Sequence, residues 1–407
     1  MSRLSNIAIF HNLPSGGAKR ALHGFVKFLY KNNMAIELFI PSTANEEFLN
    51  LKKYSKLTHV LKIPRTLKGK IISSIKYVPS IKNNDFSLAD LEICQKKIAE
   101  LINLSNTDAV IIEQDQYTMS PFVLKYIKKY HLYFCQQPTR INEPIINKIK
   151  LESGAKEKYQ GLFFTPIWRK FLRKKLMEID RNNAIYAKYI LANSFFSQKS
   201  IKNAYGLTSH VCYLGIDPET FRPLKISRQN FILTVGSLTP AKGFDFIINS
   251  IGKIVNNIRP ELVIVYNSLD NTWKKYIVEL ANKKEVKITL KYLIGDNELV
   301  ELYNSAKIVV YAPYLEPFGF VPLESLACQT PVVAVNEGGI RETVTHNVTG
   351  LLTERDENQF AQAITRLLLD PKKRTELANH GFDTVKGFWT TEFAGERLLK
   401  HLNSILQ

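Results

Sequence analysis

Twice along the chain, short β-branched runs alternate with helix-length segments, and that alternation leaves few folds open. In the first half NIAIFHN (6–12), AIELFIP (35–41), DAVIIEQ (108–114) and HLYFCQQ (131–137) read as strands, with helices from Ala18 and over 89–103. In the second half FILTVGS (231–237), ELVIVY (261–266), VKITLKYL (286–293), KIVVYAP (307–313) and PVVAV (331–335) are strands, with helices over 243–257, 297–306 and from Pro322. Near-continuous apolar strands separated by helices describe a parallel sheet covered on both faces. A chain of 407 residues exceeds what one core usually supports. The expectation is therefore α/β, with two Rossmann-like doubly wound domains. Their break is expected near 215–230, where Pro218 and Pro223 interrupt regular structure.

One loop carries chemistry. In EPFGFVPLE, Glu316 and Glu324 stand eight residues apart around a Pro-Phe-Gly-Phe turn that follows a strand and opens a helix. Ligands of open α/β sheets bind at such strand ends, and the N–H groups of a helix N-terminus favour anions. A carboxylate beside a phosphate is repelled unless it faces hydroxyls. Two Glu residues on two sets of sugar hydroxyls, with the amides of Gly319 and Phe320 near a diphosphate, form a consistent sugar-nucleotide site. The bland alternative makes Glu324 a helix-start carboxylate and Glu316 a solvated loop residue. Lys242, in the loop TPAKG after a strand, can meet diphosphate oxygens as a point charge, or be merely solvated. Gly16 and Gly17, between the first strand and helix, allow close approach of backbone and ligand. Lys19 and Arg20 just beyond them face either phosphate or solvent.

The segment 316–344 resembles the retaining glycosyltransferases of family 4 (glycosyl transferases group 1, GT-B fold), and the motifs 189–206, 213–223, 231–246 and 295–313 follow the family's order. The opening 7–29 is similar to the family's first strand, glycine loop and helix. The resemblance implies an acceptor-binding domain over 1–220, a nucleotide-sugar-binding domain over 221–387, and a C-terminal segment 388–407 that crosses back onto the first. It implies Glu316 on the donor sugar hydroxyls, Glu324 on the ribose and Lys242 on the diphosphate, with Glu316 and Lys242 carrying catalysis. Gly16, Gly17, Ser237, Phe318, Gly319 and Phe320 would complete the donor side. Ser237 stands where relatives commonly have Arg. Gln136 stands where they commonly have His, so it can orient a hydroxyl but not titrate; with Arg140, which is as readily a loop-stabilising arginine, it would face the acceptor. The first half offers no comparably placed base, which favours retention, with proton transfer to the departing diphosphate. No Asp-x-Asp clamp lies beside the site, so neither metal nor cofactor is expected; the nucleotide sugar, GDP- or UDP-linked, is a co-substrate. The acceptor is expected to be a saccharide, lipid-linked, in cell-surface polysaccharide or glycolipid synthesis. The alternatives are a soluble disaccharide-phosphate synthase or phosphorylase of the same fold, and a non-catalytic sugar-nucleotide-binding subunit.

Charge is unevenly placed. Residues 1–220 hold 33 Lys and Arg against 17 Asp and Glu, and residues 221–407 hold 22 against 20, so nearly all of the net +18 belongs to the first half. It concentrates in 62–82 and in 161–178, where Phe163, Phe164, Trp168, Phe171 and Leu172 interleave with Arg169, Lys170, Arg173, Lys174 and Lys175. Aromatics among cations suit an anionic membrane surface, unless the aromatics pack inward and the lysines are a solvated face. Nucleic acid is not expected, since no nucleic-acid-binding module signature occurs. No signal peptide and no membrane span are expected, and Cys94, Cys135, Cys212 and Cys328 lack ligand spacing, which fits free thiols in a reducing cytoplasm, at the inner face of the membrane.

Overall fold

The computed structural model describes residues 4–66, 86–139, 167–268 and 270–406, the side chains of 167–172 excepted. Arg140, Phe163, Phe164 and most of the basic run 62–82 lie outside the described residues, as do the side chains of Trp168, Arg169, Lys170, Phe171 and Leu172. Two compact units result. Residues up to 139, 167–215 and 391–406 form the first, and residues 216–390 the second.

In the first unit β1 (Asn6–Asn12), β2 (Ala35–Pro41), β3 (Leu57–Leu61), β4 (Ala109–Asp115), β5 (His131–Cys135), β6 (Ile190–Ala192) and β7 (His210–Val211) form one sheet, ordered β3-β2-β1-β4-β5-β6-β7. Every pairing is parallel, with Ile7 opposite Ile36 on one side and Ala109 on the other. Ile7, Ala8, Ile9 and Phe10 are all fully buried, so both faces of β1 are covered, as a parallel sheet requires. The helices are α1 (Gly17–Lys31), α2 (Leu88–Leu104), α3 (Ile167–Ala184) and α4 (Phe195–Tyr205). A capping box starts α2: the Asp90 N–H donates to Ser87 Oγ at 3.1 Å and the Ser87 N–H to Asp90 Oδ2 at 2.9 Å.

The second unit repeats the design with β8 (Phe231–Val235), β9 (Glu261–Tyr266), β10 (Ile288–Tyr292), β11 (Ile308–Tyr311), β12 (Val332–Val335) and β13 (Gly350–Thr353), ordered β10-β9-β8-β11-β12-β13 and parallel throughout. Its helices are α5 (Phe244–Gly252), α6 (Asn271–Lys283), α7 (Asp296–Ser305), α8 (Phe320–Ala327), α9 (Glu357–Leu369) and α10 (Pro371–Phe388), with a single helical turn at Ile340–Thr343. Strand order reverses between β1 and β4 in one sheet and between β8 and β11 in the other. Those are the points at which such sheets bind ligands.

Two helix boundaries differ from the sequence reading by two residues or more. α5 ends at Gly252 rather than 257, because the Arg259 guanidinium takes up the freed carbonyls: Nη2 donates to Gly252 O at 2.9 Å and Nε to Ile254 O at 3.0 Å. α8 begins at Phe320, ahead of Pro322, because Gly319 at φ +108° turns the chain into the helix. The C-terminal helix α11 (Thr391–Ser404) belongs to the first unit and packs on α1. Glycine makes that approach possible, since a Cβ on Gly395 would stand 2.1 Å from the Phe28 ring and one on Gly24 2.9 Å from the Thr391 methyl.

Candidate functional site

The reversal point of the second sheet is assembled by glycines. After β8 the chain passes through the short turn Pro240–Lys242 to Gly243, at φ +65°, where a Cβ would lie 2.2 Å from the Ala312 carbonyl. Only glycine lets this loop run against the end of β11. The Lys242 stem lies over Gly236, 3.3 Å from where that residue's Cβ would be. Its ammonium thereby reaches Glu316, donating from Nζ to Oε2 at 2.8 Å. About a fifth of each side chain is exposed, 23% and 19%. The loop carrying Glu316 rests on the next glycine pair: a Cβ on Gly338 would stand 2.3 Å from Glu316 O and one on Gly339 2.2 Å from Pro317 O, and the Gly339 N–H donates to Glu316 O at 2.7 Å. Ser237 is half-buried in the same loop as Lys242, its hydroxyl 3.4 Å from that of Thr239.

Glu324 lies one turn into α8 and is buried, accepting from the Tyr303 hydroxyl at 2.7 Å. Tyr303 is fully buried, on α7. Phe318 is buried, edge-on to Phe320 and Trp389 at 5.4 and 5.7 Å between ring centroids, so its ring is core while its backbone lines the loop. Phe320 is half-buried. Behind the site Arg355 forks onto Glu337, from Nε to Oε1 at 2.8 Å and from Nη2 to Oε2 at 3.0 Å, and also donates to the carbonyls of Ala312 and Pro313. The guanidinium lies 3.8 Å over the Tyr314 ring. It ties the end of β11, from which the Glu316 loop leaves, to Glu337 beyond the end of β12. Tyr303 and Arg355 were missed from sequence: Tyr303 lies inside the motif 295–313 and Arg355 in no motif, and the roles of both come from contacts 21 and 18 positions away.

In the first unit Gly16, at φ +133°, caps α1, and nothing comes within 4 Å of where its Cβ would be. Gly17 is the first residue of α1. Lys19 faces neither phosphate nor solvent: it is fully buried and ion-paired to Glu46, which also accepts from His11 Nε2 at 2.9 Å. Burial is the main force on His11 and holds its imidazole down to about 4, so it stays neutral. Burial works to raise Glu46 as well, but the hydrogen bonds from His11 and Lys19 outweigh it and bring the carboxyl to about 2. Gln136 is buried and engaged within its own unit, donating to Glu113 and accepting from Asn193 Nδ2 at 3.0 Å. Glu113, near the end of β4, is fully buried, and desolvation pushes its carboxyl up to about 8 against weaker help from the Gln114 N–H and Gln136. A first-half carboxylate near a strand end is thus present, contrary to the sequence reading, though shielded. Among the described residues no group of three or more His, Cys, Asp or Glu could hold a metal ion, and no helix is long and apolar enough to cross a membrane. All four cysteines are buried and free.

Two parallel doubly wound units, each with its own reversal point, are the fold of the GT-B glycosyltransferases. Residues 216–384 match the model of the family glycosyl transferases group 1. The chain is 26% identical to the human alpha-1,3/1,6-mannosyltransferase ALG2 over 334 residues, 74% of each chain. It is 22% identical to the capsular polysaccharide biosynthesis glycosyltransferase CapM of Staphylococcus aureus over 99% of each. The sucrose-phosphate synthase of Thermosynechococcus elongatus has the same fold, with a TM-score of 0.75 at 16% identity over 98% of this chain and 99% of that one.

Proposed function

We propose that this glycosyltransferase moves a hexosyl group, with retention and without a metal or other cofactor, from a nucleotide-diphosphate sugar to a saccharide acceptor. The observation that carries the reading is the Lys242–Glu316 pair at the reversal point between β8 and β11. A carboxylate next to a diphosphate is repelled, and a lysine bonded to it at 2.8 Å removes that objection. Lys242 can then share its remaining protons with phosphate oxygens while the outer oxygen of Glu316 meets the donor sugar hydroxyls. Glu324, held in place by the Tyr303 hydroxyl, takes the ribose hydroxyls. The N–H groups at the start of α8, freed by Gly319, add donors for the diphosphate. Ser237, the backbone of Phe318 and Phe320, and the loop Gly16-Gly17 complete the donor side; Gln136 and Arg140 attend the acceptor.

Retention is supported by the acceptor side. The carboxylate found there, Glu113, is fully buried behind Gln136 and holds its proton up to about pH 8, so it is a poor base at neutral pH. Proton transfer to the leaving diphosphate, with the enzyme supplying orientation and fixed charge, fits that arrangement. A lipid-linked acceptor at an anionic membrane surface is supported by the first-half charge and by Arg173, Lys174 and Lys175, which are exposed on α3. The relatives ALG2 and CapM, by their names a mannosyltransferase and a capsular polysaccharide enzyme, fit a role in cell-surface glycan or glycolipid synthesis in the cytoplasm. A thermal-shift screen of UDP-, GDP- and ADP-sugars tests the donor. A true donor at 100 times its dissociation constant stabilises the protein by about 2.7 kcal/mol, and no shift with any of them defeats the reading.

A further inference from the structure

Glu113, two residues before the end of β4, Gln136, just after β5, and Asn193, just after β6, follow one another across neighbouring strands near the carboxyl edge of the first sheet. All three are buried. Asn193 Nδ2 donates to Gln136 Oε1 at 3.0 Å, and Gln136 Nε2 donates to the two oxygens of Glu113 at 3.3 and 3.5 Å. Ser197 Oγ fixes the Gln136 backbone by donating to its carbonyl at 3.1 Å. A donor at one end and a carboxyl at the other leave the Gln136 amide one sense.

Its neighbour Asp115 is what a structural carboxylate looks like here. Asp115 accepts from Asn12 and Gln95 at 2.7 Å each, and from the N–H groups of Tyr117 and Thr118 at 2.7 and 3.2 Å. Among the described residues Glu113 accepts only long bonds, the third from the Gln114 N–H at 3.4 Å. A buried carboxyl held so loosely is a poor anchor, since an apolar residue would fill the same place with less desolvation cost. What it does contact is the amide at the acceptor side.

We propose that Glu113 is a positioning residue for sugar transfer, setting the Gln136 amide so that its second Nε2 proton meets the acceptor hydroxyl. This rests on the acceptor-side reading of Gln136. Ionisation of Glu113 strengthens its hold on the Nε2 proton that faces it and rotates the amide, moving the second proton off the acceptor. Among the described residues the titratable groups that feel the charge of Glu113 are the Cys135 and Cys212 thiols, both raised by burial, Cys212 to about 12, so they stay neutral as it titrates. Beyond them, Asp180 faces Cys135 and Arg397 faces Cys212.

The full chain tests this in two ways. First, the Gln136 side-chain amide, followed by nitrogen-15 NMR from pH 6 to 9 and assigned with Gln136→Ala, steps near pH 8 in the wild type and stays flat in Glu113→Gln. A flat wild-type amide, or the same step in Glu113→Gln, overturns the proposal, and the wild-type titration decides even if the variant fails to fold. Second, nucleoside diphosphate release is measured with UDP-glucose, UDP-N-acetylglucosamine or GDP-mannose as donor and octyl glucoside or octyl mannoside as acceptor probe. Glu113→Gln raises the acceptor KM about tenfold, with donor KM unchanged and little further effect when combined with Gln136→Ala. Additive effects, or an equal rise in donor KM, overturn it. If no donor in the wider thermal-shift screen binds, the donor reading fails instead, and the amide titration still judges Glu113.

Discussion

At the scale of single residues the ammonium of Lys242 and the carboxylate of Glu316 form one device, so losing either unsettles both. Glu316→Ala is expected to lower kcat/KM about 10- to 150-fold, the equivalent of roughly 1.5–3 kcal/mol for hydrogen bonds to a charged group, with an unchanged melting curve. Wild-type turnover would remove Glu316 from the site. Lys242→Ala should cost both donor affinity and turnover, and Ser237→Arg, which restores a cation in the same loop, should recover part of each; assays of the single and double variants decide. Glu113 adds a pH dependence of stability. Its folded-state carboxyl, near 8, lies above the usual 4.5, so its contribution is complete below pH 4.5 and is lost as pH rises through 8, on the order of 5 kcal/mol in all. Glu113→Gln should therefore gain melting temperature relative to wild type between pH 5 and pH 8. A constant difference across that range would mean the carboxyl is not held protonated.

At the scale of elements the deciding features are backbone approaches. Gly243→Ala must adopt φ +65° and drive a methyl into the Ala312 carbonyl, so a melting point lower by at least about 5 °C is expected, with donor binding lost as Lys242 leaves Glu316. Normal melting and binding would mean the loop has room to shift. Most strands read from sequence have largely apolar, central runs, such as ELVIVY, although the edge strand β10 was read as well from its β-branched residues. The edge strand β3 was not legible, because LTHVL is half exposed and pairs only with β2. Nor was α6, whose inward face, Trp273, Tyr276, Ile277 and Leu280, is split by lysines. The glycine loops and the motif carboxylates stood out because their chemistry is local. The partnerships of Glu324 with Tyr303, Lys19 with Glu46 and Gln136 with Glu113 did not, since each joins separate elements that only the fold brings together.

At the scale of the whole molecule the imbalance of charge predicts where the enzyme works. Each Lys or Arg near an anionic surface contributes about 1 kcal/mol, screened within roughly 8 Å at physiological salt. The protein should sediment with anionic vesicles at low salt and release as salt rises. Replacing Arg169, Lys170, Arg173, Lys174 and Lys175 by Gln should abolish sedimentation while the donor thermal shift persists. Wild-type protein that stays in the supernatant at low salt would favour a water-soluble acceptor. The return of α11 to the first unit has a consequence for biosynthesis. On the ribosome the first unit is begun before the second, yet the helix that packs on α1 emerges only after residues 216–390 have been made. The domain begun first is therefore completed last, and a nascent chain stalled or truncated before Thr391 should leave it open to chaperones and proteases while residues 216–390 already have all their own segments.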